Sequence, residues 1–212
     1  MAARENLMIA ALIALTSLGC NNRREPNPVI SVQTDVGDIA VEIYPEKAPL
    51  TARNFLRYVD EGRFVGASFY RVVRLDNQAD DTVRIEVIQG GLGFVESDMR
   101  LPPIEHETTD KTGILHRDAV ISMARAAPGT ASSEFFVCVG DQPELDFGGK
   151  RNPDGQGFAA FGRVIKGMDL VHTIHNKPAT AQMLVVPVRI LDVQRIKKDN
   201  ALVDYRNAGG EK

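Results

Sequence analysis

Eight short stretches with β-strand character run through this chain, and their brevity and spacing limit what it can fold into. They cover residues 30–34, 39–43, 68–73, 83–88, 119–124, 135–139, 159–164 and 185–193, with turn signals between them. The first two alternate apolar and polar residues around a turn at 35–38, the pattern of a β-hairpin. Only two segments have helical spacing. In residues 49–60, Pro49 suits the first turn, Phe55, Leu56 and Val59 share a face, and Gly62 lies just past the end. In residues 168–175, Met168, Val171 and Ile174 fall on one side. Many short strands predict a mainly β domain, a closed antiparallel barrel rather than a parallel sheet, with the two helices over its open ends. The 212 residues, 43% of them apolar, suit one domain plus extensions with an ample core. There is no internal repeat.

The flanks are expected to lie outside that domain. Residues 7–15 are an apolar run after a single Arg, too short for the roughly 20 residues that span a bilayer. They fit the core of a secretory signal. Gly19-Cys20 resembles the end of a bacterial lipobox, although Ser17 stands where Leu is usual. Residues 1–20 therefore read as a signal segment with Cys20 as the lipidation site; cleaved soluble export and a cytosolic start are the alternatives. By the lipoprotein rule, Asn21 would not retain the protein in the inner membrane. The expected location is the periplasm or cell envelope, with the membrane touched only through the lipid anchor. Residues 21–28 read as a tether, 29–196 as the domain and 197–212 as a polar tail. Cys138, in the apolar run 135–139, reads as a buried small hydrophobe without a disulfide partner.

Charge narrows the function. A net charge of −3 with no basic stripe argues against nucleic acid as a partner. His106, His116, His172 and His175 lack metal-ligand spacing, and His172 and His175 read as a solvated helix face. No glycine-rich loop before a helix offers a phosphate cradle. Neither a metal nor a cofactor is expected, and the protein is expected to be a monomer.

Four motifs carry chemistry: Ser68-Phe69-Tyr70-Arg71, Ile88-Gln89-Gly90-Gly91, Ser122-Met123-Ala124-Arg125 and Ser132-Ser133-Glu134-Phe135-Phe136-Val137. In this order they resemble the cyclophilin-type peptidyl-prolyl isomerases, over about residues 29 to 196. The resemblance implies eight antiparallel strands capped by two helices, and catalysis of rotation about X–Pro bonds in polypeptide clients. It makes Arg71 the catalytic donor and Gln89 the side chain that positions it. Phe136 becomes the floor of a proline pocket, Leu145 a wall, and Ala124 and Arg125 the backbone contact for substrate. Since neighbours on a strand face opposite ways, Phe135 is then the core residue.

The chain departs from the family pattern in several places. Arg84-Ile85-Glu86-Val87 stands where Pro-Gly-Phe-Met is usual, so Val87 lines the pocket in place of Met and Glu86 replaces a pocket Phe. Glu134 replaces a Gln, Glu144 the Trp that contacts cyclosporin, and Phe158 a His. Residues 75–82 form an extra acidic loop and 147–157 a Gly-rich insertion. These carboxylates predict a groove more acidic than the family norm. Glu86, if it faces the pocket, would pair with Arg71 or favour a basic neighbour of the proline. The expected function is prolyl isomerisation assisting envelope protein folding; the alternative is a non-catalytic proline-peptide binder or holdase on the same barrel.

Overall fold

The computed structural model describes residues 26–79, 81–94 and 96–196. The signal segment with Cys20, most of the tether and the polar tail lie outside these residues. Strand β1 (Val29–Thr34) pairs antiparallel with β2 (Gly37–Ile43), and Thr34 opposite Gly37 closes the hairpin. In spatial order the sheet continues through β7 (Ala159–Lys166), β5 (Val120–Met123), β6 (Phe135–Cys138), β4 (Val87–Gly91), β3 (Ser68–Val73) and β9 (Met183–Arg195). β9 then pairs back onto β1. All neighbours are antiparallel, and the eight strands close into the expected barrel. A two-residue strand, β8 (Ala179–Thr180), hangs from β9 as a ninth.

Helix α1 (Pro49–Asp60) packs against β7 and β9, and α3 (Met168–His175) against β2, β3 and β4. Both have the bounds expected from sequence. A single turn, α2 (Thr109–Thr112), was not foreseen. The barrel is filled by edge-on aromatic packing. Phe55 of α1 meets Phe135 at 5.6 Å and 90°, and Phe69 meets Phe135 at 5.8 Å and 85°. Cys138 is fully buried, and burial pushes its thiol pKa well up, which makes it inert.

Two expectations need correction. Residues 83–86 are not strand; β4 starts at Val87 and runs on through the two glycines. The amide of Gln78 takes the place of a neighbouring strand, accepting from Ile85 N–H (3.2 Å) and donating to its carbonyl (2.8 Å). His175 is not on a solvated face. It is buried beside Val171 and Ile174, with Nε2 at 2.9 Å from the Val73 carbonyl.

Helix α1 takes its cap from afar. Ala48 at its N-cap has no side chain able to accept a hydrogen bond. The Glu107 carboxylate substitutes, accepting from Leu50 N–H (3.1 Å), Thr51 N–H (2.7 Å) and Thr51 Oγ1 (2.7 Å). This satisfies orphan amides and places negative charge at the positive end of the helix. At the other end Gly62, at φ +62, lets Arg63 N–H reach the Tyr58 carbonyl at 2.8 Å. Glu107→Ala is expected to lower the unfolding free energy by about 1–2 kcal/mol, measured by chemical denaturation.

Candidate active site

The barrel's interior is full, so a site must be built on its outside, and β3 shows how. Phe69 and Arg71 are two apart and would share a face on a regular strand. The register slips between them: Phe69 faces Gly90 and Arg71 faces Gln89, leaving Tyr70 as the extra residue of a bulge. The bulge reverses the phase. Phe69 stays in the core while Tyr70, Arg71 and Val73 turn to the outer side. On β4, a Cβ on Gly90 would sit 2.9 Å from both the Phe69 ring and the Ser68 carbonyl. One on Gly91, at φ +141, would meet Glu134 Oε2 at 2.5 Å. Both glycines answer to close packing.

All nine groove residues named from the sequence line one cleft of about 430 Å³: Arg71, Val87, Gln89, Ala124, Arg125, Glu134, Phe136, Leu145 and Phe158. Arg71 stands in a chain of neutral amides and hydroxyls. Its Nη1 donates to Gln89 Oε1 (2.7 Å), and Gln89 Nε2 donates to Tyr70 Oη (2.8 Å). Tyr70 in turn donates to Glu134 Oε2 (2.6 Å). Burial, and then the hydrogen bond and charge of Glu134, push the Tyr70 pKa up, so the phenol keeps its proton as donor. Burial pulls the Arg71 pKa below its ordinary value, and the Arg151 charge adds to this. A guanidinium is so weak an acid that it remains a cation at neutral pH. Its second partner, Gln182, was not anticipated from sequence; Gln182 Oε1 accepts from Arg71 Nε at 3.0 Å and from Nη2.

Phe136 is held flat from behind. His116 stacks on its ring at 5.9 Å and 18°, while Phe158 meets it edge-on at 5.3 Å. His116 is itself fixed by Asp146 Oδ1 at Nδ1 (2.7 Å) and Ser122 Oγ at Nε2 (2.9 Å). Ser122 and His116 are fully buried, so this Ser-His-Asp row has no access to substrate and serves as a strut. Phe136, Val87, Leu145 and Phe158 form an apolar slot, with Ile85 and Val73 extending it.

The expected acidity is overturned. Glu86 and Glu144 are absent from the cleft lining. The backbone of Glu86 is tied to Gln142 and Val139, and the Glu144 carboxylate accepts from Lys150 N–H at 2.8 Å. Glu134 does line the cleft, but Tyr70, Ser133, Gly93 N–H and Arg100 consume its oxygens. Against that one carboxylate stand four arginines: Arg71, Arg100, Arg125 and Arg151. Arg100 and Arg151 were missed because they arrive on loops. Arg151 brings the 147–157 insertion across to the acidic loop, donating to Val83 O (2.7 Å) and pairing with Asp81 (3.0 Å). Phe94, the mostly exposed aromatic at the other end of the cleft, packs edge-on against Tyr70 and was also not foreseen.

Arg125 does not offer its guanidinium to a ligand. It lies over the Phe158 ring at 5.2 Å and grips Asp154 through two 2.8 Å hydrogen bonds. That grip, with help from Gln156 N–H, lowers the Asp154 pKa to about 2. A depressed carboxylate stabilises the folded form fully above its ordinary pKa and loses that contribution as pH falls through the folded value. The Arg125–Asp154 tie is therefore expected to hold at pH 4 and to open near pH 2. A 13C carboxyl titration of Asp154 by NMR, with a midpoint near 2, checks this.

Comparison with known proteins agrees with this architecture. Residues 29–195 match the family described as cyclophilin type peptidyl-prolyl cis-trans isomerase/CLD. A peptidyl-prolyl cis-trans isomerase of Acinetobacter baylyi is 34% identical over 178 residues, covering 79% of this chain and 85% of the relative. Peptidyl-prolyl cis-trans isomerase B of Escherichia coli is 33% identical over 150 residues, covering 69% and 83%. Among solved structures, a cyclophilin-type isomerase from Cryptosporidium parvum superposes with a TM-score of 0.64 at 20% identity, covering 81% of this chain and 98% of that one. The same enzyme crystallised in the presence of the dipeptide Ala-Pro gives a TM-score of 0.63. The match along nearly the whole barrel leaves one assignment: the chain belongs to the cyclophilin-type peptidyl-prolyl cis-trans isomerases.

Proposed function

We propose that the cleft rotates X–Pro bonds in polypeptide clients, with Arg71 as the catalytic donor. The barrier to overcome is roughly 18–20 kcal/mol, the resonance energy that keeps the peptide bond planar. Rotation needs no nucleophile and no proton transfer. It needs a surface that binds the twisted bond better than either planar form. The Phe136, Val87, Leu145 and Phe158 slot takes the pyrrolidine ring. A guanidinium N–H beside it donates to the proline nitrogen, whose lone pair is released from the carbonyl as the bond twists. Each tenfold in rate requires about 1.4 kcal/mol, so one preorganised cationic donor supplies two or three such factors. The observation that carries the reading is the meeting of a cation held by neutral partners with an apolar slot in one cleft.

The same reading extends to clients and place. Arg71, whose charge its amide partners leave unspent while Arg100, Arg125 and Arg151 are each paired with a carboxylate, favours acidic neighbours of the proline. The apolar segment and Cys20 support export and lipid anchoring, and with them a role in folding envelope proteins.

Arg71→Ala is expected to lower kcat/KM on a proline tetrapeptide by roughly 10²–10³, with the circular dichroism spectrum unchanged. Wild-type turnover in that variant removes Arg71 from the mechanism; peptide binding without turnover in the wild type returns the protein to the binder class. Peptides with Glu beside the proline are expected to bind more tightly than Lys counterparts, by a margin that shrinks with added salt. Equal affinities at low salt rule the preference out.

A further inference from the structure

We propose that Gln182 is a positioning residue for Arg71, and that the extra loop at residues 75–82 acts on the isomerase site through it. The inference rests on the isomerase reading above and adds to it a third party that holds the donor in place.

The argument starts from the hydrogen-bonding capacity of arginine. A guanidinium has five N–H bonds in a rigid plane. In Arg71, Nε–H and one N–H of Nη2 go to Gln182 Oε1, and one N–H of Nη1 goes to Gln89 Oε1. One N–H on each terminal nitrogen is left for a ligand. Gln182 thus occupies the Nε edge and leaves the terminal nitrogens to face the cleft. Both holding groups are amides. They accept hydrogen bonds without cancelling the positive charge, as a carboxylate in either place would.

An amide can face either way, and the loop decides which. Gln182 Nε2 donates to the Asn77 carbonyl at 3.2 Å, which turns Oε1 toward Arg71. Asn77 is in turn stitched to both sides of the site. Its Nδ2 donates to Val72 O (3.1 Å), next to Arg71, and to Ala181 O (3.0 Å), next to Gln182. Its Oδ1 accepts from Arg74 N–H at 2.7 Å, and Val72 N–H donates to Gln182 O at 2.8 Å. Ala181 supplies a second, independent sign. It sits at φ +52, a left-handed conformation that strains a residue with a Cβ. Strain of this kind persists only where the surroundings hold it, and it gathers at functional sites. Here the Asn77 hydrogen bond holds the Ala181 carbonyl, and the turn it fixes aims Gln182 at the guanidinium. Without that grip Arg71 regains the freedom of its long side chain, and less of it stands in the productive orientation.

The test compares wild type with Gln182→Met, which keeps length and loses the acceptor, and with Asn77→Ala, which keeps the carbonyl that Gln182 meets but removes the side-chain ties that hold the loop to Val72, Arg74 and Ala181. Exchange NMR on a proline tetrapeptide gives kcat and KM separately. Both variants are expected to lose about tenfold in kcat with KM within about twofold. A purely structural role would move the unfolding midpoint without this split; wild-type kcat in Gln182→Met overturns the proposal. The 15N signal of Arg71 Nε–H gives a reading independent of turnover. It is expected to be protected from solvent exchange in wild type and unprotected in Gln182→Met, and protection that survives the substitution also overturns the proposal. An inactive wild type would sink the isomerase reading while the NMR signal still decides whether Gln182 holds Arg71.

Discussion

A barrel of eight strands has just enough interior for side chains, and here that interior is taken by Phe55, Phe69, Phe135 and Phe161, with Phe55 and Phe69 edge-on to Phe135 and Phe161 tilted against Phe55. Everything else follows from that exclusion. Ligand chemistry has to sit on the outer surface, where the strands present alternate residues. Phe135 points in and Phe136 points out because they are neighbours on β6, and one strand thereby anchors the core and floors the cleft. On β3 simple alternation would have placed Arg71 in the core with Phe69. The Tyr70 bulge removes that conflict, and Gly90 and Gly91 give β4 room to follow.

The electrostatics of the cleft follow a second rule, that buried polar groups are satisfied by partners of chosen charge. The carboxylate of Glu134 is surrounded by Tyr70, Ser133 and Arg100, so its charge is spent on holding the cleft wall. The cation of Arg71 has amides for neighbours, so its charge is not spent. Arg125 and Arg151, each paired with an aspartate, fasten the two inserted loops over the flank. One residue type thus does two jobs, set by whether its partner is an amide or a carboxylate.

Much of this was legible in the sequence, and the failures are instructive. Both long helices were readable to the residue because Pro49, Gly62 and the apolar spacing are local signals. The strand at 83–88 was misplaced because a side chain, Gln78, imitates a strand neighbour, and no periodicity records that. The motifs bring Arg71, Gln89 and Phe136 together because each sits on a paired strand. The sign of the cleft's charge was misread for the opposite reason. Glu86 lies just before β4 and Glu144 turns toward Lys150, while Arg100 and Arg151 come from loops whose paths depend on tertiary contacts. Gln182, 111 residues from Arg71, leaves no trace in local pattern.

The borrowed cap of α1 has a consequence for how the chain acquires its shape. A helix of 12 residues that lacks its own capping side chain is marginal alone. Its cap, Glu107, is made 57 residues after Leu50 in the first turn, so during synthesis α1 emerges unfinished. The aromatic face it offers to the barrel must wait for β6 and β7, later still. Folding of this domain is therefore a late, concerted event dominated by distant contacts, which places it among slower-folding topologies.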